Sequence, residues 1–530
     1  MPGSPPPVIP VAGVPDAEPP QSAAAATTSR SVFSGSLWYS ASSVLPQIYV
    51  VIVSVVAARY LGPEGMGQQS FISFAQLSAV MLLTGGLPVA LMRFFGETLG
   101  ADRPGAIRSL LRWAWGLEAV GAVAGAAILI AVGFYRVELR SAWMVAGIAC
   151  ALTVLHTVPS AALIGLQRWR QVSTIGITTG ALSVVATVAV LVAGYGITGM
   201  FVVEALMSLA NLVWATVLAQ RAVREMAPVA TPADDIKRKI LPYAGWVTID
   251  VLLSYVVSRR SEFFFLEAYS TNQEIAFYSI AFGAMTALLK LANMAGGVAA
   301  PAVATLLGAG DLVRIARGYG RAMRLTLHLT LPLTAVALAL GPLLVGLAYG
   351  SDYTRAGDVL TVLLLGVPIT AAAGLAGGVL SGLGQVKRPL AWTAVATVIN
   401  VVAAFLLVPR FGATGAALAN TTAQAAAGLP VIVLARRQLA GVSFDPASLL
   451  RTLLAAGLAG LAAGLASSGG GWGGLVLGAA AAAGAFAFAL VVLRPLSGED
   501  GRWLADTLGR GRDGAVSRAV LRSSRQESTS

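Results

Sequence analysis

The chain is 530 residues long, 56% hydrophobic and only 11% charged, whereas a soluble globular domain carries about 25% charged residues. So few charges cannot clothe a water-facing surface of that size, which excludes a large soluble protein and points to an integral membrane protein. The net charge of +12 would suggest nucleic acid in a soluble chain, but the basic residues stand between apolar stretches. They read as membrane topology, and no nucleic-acid partner is expected.

Residues 1–30 come first. Eight of the first twenty are proline, with no basic n-region and no apolar h-region. The segment is expected to be a disordered cytoplasmic tail and not a signal peptide. Fourteen apolar windows follow, predicting helices over 36–58, 69–91, 113–133, 141–162, 174–194, 197–219, 242–266, 276–297, 323–345, 358–380, 390–408, 412–435, 449–467 and 472–493. They lack the alternation of a membrane barrel, so the fold class expected is an all-α polytopic membrane protein.

An even span count puts both termini on one side. Of the 36 Lys and Arg, 28 fall in the tails and even-numbered loops, 5 on the opposite side and 3 inside spans. That asymmetry predicts cytoplasmic termini. The outer loops are too short to fold, so function must lie within or between helices. There is one cysteine, Cys150, and two histidines, His156 and His328, with no ligand spacing. These numbers exclude an intrachain disulfide, a thiolate zinc site and an iron–sulfur cluster, and no metal or cofactor is expected. No Gly-Lys dipeptide occurs, which excludes a P-loop lysine.

Two segments repeat. Leu163-Ile-Gly-Leu-Gln-Arg leads through a helix to Gly194-Tyr-Gly-Ile-Thr-Gly, and Leu380-Ser-Gly-Leu-Gly-Gln leads to Arg410-Phe-Gly-Ala-Thr-Gly. Gly165 maps to Gly382 at an offset of 217, and Gly196 to Gly412 at 216. Tight turns between antiparallel helices need the backbone freedom of glycine. The repeat predicts a parallel pair of bundles related about the membrane normal, with the last two spans added. The expected organisation is a six-helix bundle over 31–219, a cytoplasmic linker over 220–241, a second bundle over 242–435, a helix pair over 449–493 and a basic cytoplasmic tail over 494–530. That tail reads as a topology anchor or as a surface for anionic lipid.

The chain resembles the polysaccharide flippase branch of the multidrug/oligosaccharidyl-lipid/polysaccharide (MOP) exporter superfamily. The residues that carry the resemblance are Ala58-Arg-Tyr-Leu-Gly-Pro-Glu-Gly-Met-Gly, Arg260-Ser-Glu-Phe-Phe-Phe-Leu, Ala276-Phe-Tyr-Ser-Ile-Ala, Gly382-Leu-Gly-Gln-Val-Lys and Phe411-Gly-Ala-Thr-Gly-Ala. The resemblance extends over about residues 36–435. The resemblance implies two bundles in a V, a central cavity, alternating access and a polyprenyl-pyrophosphate-linked glycan as cargo. It implies no enzymatic activity, a bacterial inner-membrane location, and a polysaccharide polymerase and export machinery as further partners beside membrane lipids. The seventh span departs from the commoner pattern, with Arg260-Ser-Glu262 where Arg-x-Asp is usual.

Ionisable groups inside the membrane are costly and mark function or pairing. Arg259, Arg260 and Lys290 are candidates to hold the pyrophosphate, since arginine donates in pairs to phosphate oxygens. Arg259 and Arg260 also fit an interfacial cluster, and Arg259 shares a helix face with Glu262. Arg93 is a second cargo contact or a topology determinant. Asp250 and Glu262 are candidate coupling or cavity acids. Glu118 and Glu204, near span ends, read as structural. Pro46 is a candidate hinge within the first span. The alternatives are a cation-coupled multidrug-type antiporter and a lipid II flippase of the same superfamily. A polysaccharide polymerase or ligase would need a large outer loop with catalytic side chains.

Overall fold

The computed structural model describes residues 23–101, 103–226, 231–258, 261–292, 303, 307, 311–385, 387–439 and 446–495. Among them there is no strand. The helices are α1 (Ala23–Thr84), α2 (Leu87–Gly100), α3 (Pro104–Tyr135), α4 (Arg140–Gly165), α5 (Trp169–Val192), α6 (Gly196–Met226), α7 (Asp234–Ser258), α8 (Glu262–Tyr269), α9 (Asn272–Ala292), α10 (Leu312–Tyr349), α11 (Thr354–Leu364), α12 (Val367–Gly382), α13 (Lys387–Gln438), α14 (Pro446–Ala466) and α15 (Gly471–Leu493). Lipid offers the backbone no hydrogen bonds, and helices satisfy their own.

Nine helices among the described residues are long and apolar enough to cross a membrane, or ten if the pair bent by 44° between Leu364 and Val367 is one span. Two of them are too long for one crossing. α1 has 62 residues and α13 has 52, which as straight helices would measure roughly 90 and 80 Å against about 30 Å of hydrocarbon. Each is interrupted at a glycine with positive φ, Gly62 (φ 67) and Gly412 (φ 55). In α13 the interruption is a reversal: a Cβ on Gly415 would lie 2.3 Å from the carbonyl oxygen of Leu407, eight residues earlier. In α1 residues on both sides of Gly62, among them Ser54 and Ser70, line one cavity. Pro46 lies in the helical stretch before that turn. The arrangement is compatible with fourteen crossings.

The repeat read from the sequence has matching geometry. Arg168 N–H donates to Leu163 O at 2.8 Å, and Gln385 N–H to Leu380 O at 2.8 Å. Leu166 N–H donates to Ala162 O at 2.9 Å, and Leu383 N–H to Val379 O at 3.0 Å. Both pairs are related by the offset of 217, and both caps turn on a positive φ, at Gln167 (57°) and Gly384 (74°). The second turn repeats too. Gly196 and Gly412 have φ of 54° and 55°. A Cβ on Gly199 would sit 2.2 Å from Val190 Cγ1, much as one on Gly415 meets Leu407.

One group of helices is α1 to α6, where α3 packs on α4, α4 on α6 and α5 on α1 and α6. In a second group α13 packs on α8, α11 and α12, and α9 on α11. α14 and α15 pack on each other and on α10. The groups meet where α1 packs on α9. There Phe74 and Met66 of α1 share a buried cluster with Phe263, Tyr278, Tyr353 and Leu363. α7 reaches across: its Ile236 and Ile240 lie in the buried cluster of Leu91, Ile107 and Leu163, and it also packs on α13.

These contacts predict that Gly199→Val and Gly415→Val each cost roughly 1–3 kcal/mol of stability through overpacking. The melting temperature of the detergent-purified protein should fall for both. Gly457→Ala, with open space around its Cβ, should leave it unchanged.

Candidate functional site: the cleft between the helix groups

A cavity of 520 Å³ lies between the two groups, lined by α1, α5 and α6 on one side and α9 and α10 on the other. Its wall is largely apolar but carries the hydroxyls of Ser54, Ser70, Ser73, Ser183, Thr187 and Ser279. Among the described lining residues the one carboxylate is Glu204, and there is no Lys or Arg. Glu204 Oε1 accepts a hydrogen bond from Gln76 Nε2 at 2.7 Å. Glu204, expected to be structural from its position near a span end, thus lies in the cavity wall and is held there by Gln76. α6 begins at Gly196, which carries Glu204 two turns into the helix.

One end of the cavity is sealed by bonds between the groups. The Arg59 guanidinium donates to Ala348 O at 2.8 Å and Leu347 O at 2.6 Å, carbonyls of the last turn of α10. Tyr353 Oη donates to Ala58 O at 2.9 Å, and Tyr349 Oη to Ser54 Oγ at 3.2 Å. Asn272 Nδ2 donates to Glu64 Oε1 at 2.5 Å. Arg136 pairs with Glu267 at 2.6 Å. Phe74 stacks on Phe263 and meets Phe264 edge-on, each with ring centroids 4.9 Å apart. Gly67 is needed in this seam, because a Cβ there would lie 1.8 Å from Asn272 O.

Comparison with known proteins adds to this geometry. Residues 110–358, somewhat under half of the chain, match a family model described as polysaccharide biosynthesis protein. The fold matches a solved lipid II flippase MurJ in an inward closed conformation, with a TM-score of 0.67 and 13% identity over 89% of this chain and 100% of that one. It also matches an inward-facing multidrug resistance MATE family transporter of the MOP superfamily, with a TM-score of 0.64 and 16% identity over 75% of this chain and 95% of that one. The chain has the MOP-superfamily transporter fold. A further match, to a MOP superfamily transporter from Pyrococcus furiosus, has a TM-score of 0.51 and 14% identity over 78% of this chain and 96% of that one. No curated protein matches the sequence. The resemblance drawn from the sequence is borne out, and these solved neighbours are a flippase and two transporters.

Within this fold the candidate residues fall in different places. Arg259 and Arg260 lie outside the described residues, as does the side chain of Asp250. Lys290 is exposed on α9. It lies three residues beyond Ala287 and seven beyond Gly283, both of which line the cavity, so it continues their helix face one turn further from the seal. Arg93 is away from the cavity wall. Its guanidinium sits 4.6 Å from the Tyr243 ring centroid and 4.0 Å from Glu97, where α2 meets α7.

Glu262 is fully buried inside the second group and does not line the cavity. Its Oε1 accepts from Asn400 Nδ2 at 2.8 Å and Asn420 Nδ2 at 3.0 Å. Ser261 Oγ donates to Asn400 Oδ1 at 3.0 Å. Gln424 Nε2 donates to Asn420 Oδ1, and Thr370 Oγ1 to Gln424 Oε1. The chain of contacts joins α8 to α12 and to both arms of α13. Sequence reasoning named the acid but missed the amides that hold it, although Asn and Gln within apolar spans were the available signal.

The seal gives a direct prediction. In a Glu64→Cys, Asn272→Cys double variant the thiols should cross-link on oxidation and arrest transport, with reduction restoring it. Transport at the uncross-linked rate by fully oxidised protein would show that this end never opens.

Proposed function

We propose that the chain flips a polyprenyl-pyrophosphate-linked oligosaccharide repeat unit from the cytoplasmic to the outer leaflet of the bacterial inner membrane, by alternating access, for cell-surface polysaccharide synthesis. The observation that carries this reading is a cleft between two helix groups sealed at one end, in a chain whose residues 110–358 match a polysaccharide biosynthesis family model. The seal gathers the segments around Arg59, Arg136 and Arg355, the side poor in basic residues. The positive-inside asymmetry makes that side the outer one and puts both termini in the cytoplasm. The cleft then opens inward, toward the leaflet where the cargo is made.

The two rocking bodies are the bundles over 31–219 and 242–435, with 220–241 as linker and 449–493 as the added pair. Lys290 stands at the inward mouth, and with Arg259 and Arg260 it supplies the cations that a pyrophosphate requires in a low-dielectric cleft. Arg93, stacked on Tyr243, meets the cargo at the cytoplasmic surface. Asp250 and Glu262 are the candidate coupling acids. Glu262 takes up and releases a proton at its carboxylate, which couples a proton gradient to the packing of α8 on α13. Pro46 serves as a hinge. Polymerase and export machinery take the product onward.

One observation favours a second reading. Glu204, a carboxylate in the cleft wall, suits a cation-coupled antiporter for cationic compounds. A lipid II flippase shares the pyrophosphate chemistry and differs only in the glycan. Reconstituted protein separates them. The flippase reading predicts that Lys290→Gln and Arg260→Gln each lower glycan-lipid flipping at least tenfold, while Glu204→Gln retains it. Full flipping by both cation variants, or efflux of a cationic dye abolished by Glu204→Gln, would contradict it.

A further inference from the structure

A second pocket, 350 Å³ in volume, lies at the sealed end, outside the central cleft. Both helix groups build it. α1 contributes Gln68 and Phe71, the connection from α3 to α4 contributes Tyr135 and Arg136, and Glu267 and Asn272 close it from α8 and α9. One wall is aromatic. Phe71 meets Trp143 edge-on at 6.1 Å, and Tyr135, 88% exposed, stands at the rim.

The rest of the lining includes flat polar groups. The Arg136 guanidinium bonds Glu267 at 2.6 Å and lies 5.9 Å from the Phe71 ring centroid. The Asn272 amide is held by Glu64 at 2.5 Å. The charges decide the ligand class. Arg136 is balanced by Glu267, and Glu138 adds a further negative charge to the lining. No surplus cation is left for a phosphate.

Aromatic rings beside a carboxylate, an amide and a guanidinium suit a neutral sugar ring. The ring's C–H faces pack on aromatic rings, and its adjacent hydroxyls pair with the two oxygens or two N–H groups of a planar side chain. The volume is at the low end of the range for small-molecule sites, about 300–1,000 Å³. It has room for a short saccharide but not for a lipid-linked cargo.

We propose that this pocket is a saccharide site on the outer side, occupied by the sugar portion of glycan that has already been exported. The site exists only while the two helix groups are joined. A sugar bound there favours the sealed conformation over the open one, because a ligand shifts an equilibrium by its differential affinity for the two states. Accumulated product therefore slows its own export. The control function rests on the orientation and transport reading above; the binding site does not.

The test is calorimetric titration of the detergent-purified full chain with a panel of neutral mono- to trisaccharides, beside inorganic pyrophosphate. The expected result is saturable binding of at least one sugar, weakened at least tenfold by Tyr135→Ala and unaltered by Gly457→Ala, while any heat from pyrophosphate, which the cleft cations can take up, is unaltered by Tyr135→Ala. In proteoliposomes the same sugar, added on the sealed side alone, should slow glycan-lipid flipping by wild type and not by Tyr135→Ala. Absence of saturable binding across the panel, sugar binding indifferent to Tyr135→Ala, or pyrophosphate binding lost in Tyr135→Ala would overturn the site. Binding with no effect on flipping would overturn the control. If no flipping occurs at all, the transport reading fails, while the titration still decides the site.

Discussion

The structure depends on how Arg59 satisfies the last carbonyls of α10. A helix leaves its final carbonyls without intrahelical partners, and at a membrane boundary they must find donors or water. Here an arginine from the opposite helix group supplies two charge-assisted bonds. Ala58 and Ser54, on the same arm of α1, receive the hydroxyls of Tyr353 and Tyr349. The ends of two crossings are thus completed by each other, and the cleft is closed on that side as a consequence.

Such a seal suits a transporter. Its bonds from Arg59 and Asn272 are exposed to water, so each contributes modestly, about 0.5–1.5 kcal/mol net for a neutral pair. Water can replace each of them when the groups separate. The Phe74, Phe263 and Phe264 rings keep the seam dry while it is shut. By contrast the Glu262 cage is buried in the interior of the second group. Breaking it would leave polar groups unpaired in an apolar surrounding, at a larger cost per group. One set of contacts is built to exchange and the other to hold the arms of α13 on α8. A change of charge at Glu262 would reach the cleft through that packing.

The crossings and the repeat were legible in the sequence because both rest on local chemistry. Hydropathy marks each span, and the glycines at 196, 199, 412 and 415 mark turns whose geometry the structure repeats. The seal and the cage were not legible. Asn400 and Asn420 meet Glu262 across separations of 138 and 158 residues, and Arg59 meets α10 across 289. Neither periodicity nor spacing carries such contacts. The place of Glu204 in the cleft wall was not legible for a related reason: distance from a span end says nothing about which face of α6 turns inward. The stacking of Arg93 on Tyr243 depends on α7 packing on α2, which no local pattern announces.

The central claim is that the two ends of the cleft open in alternation. Pulsed electron spin resonance on reconstituted protein tests it most directly, with one spin-label pair at Tyr60 and Tyr269 beside the seal and a second at Leu99 and Leu312 at the opposite end. On addition of a polyprenyl-pyrophosphate oligosaccharide, a population should appear in which the first distance lengthens while the second shortens. Distances that stay fixed at both ends, or that lengthen together, would contradict the account.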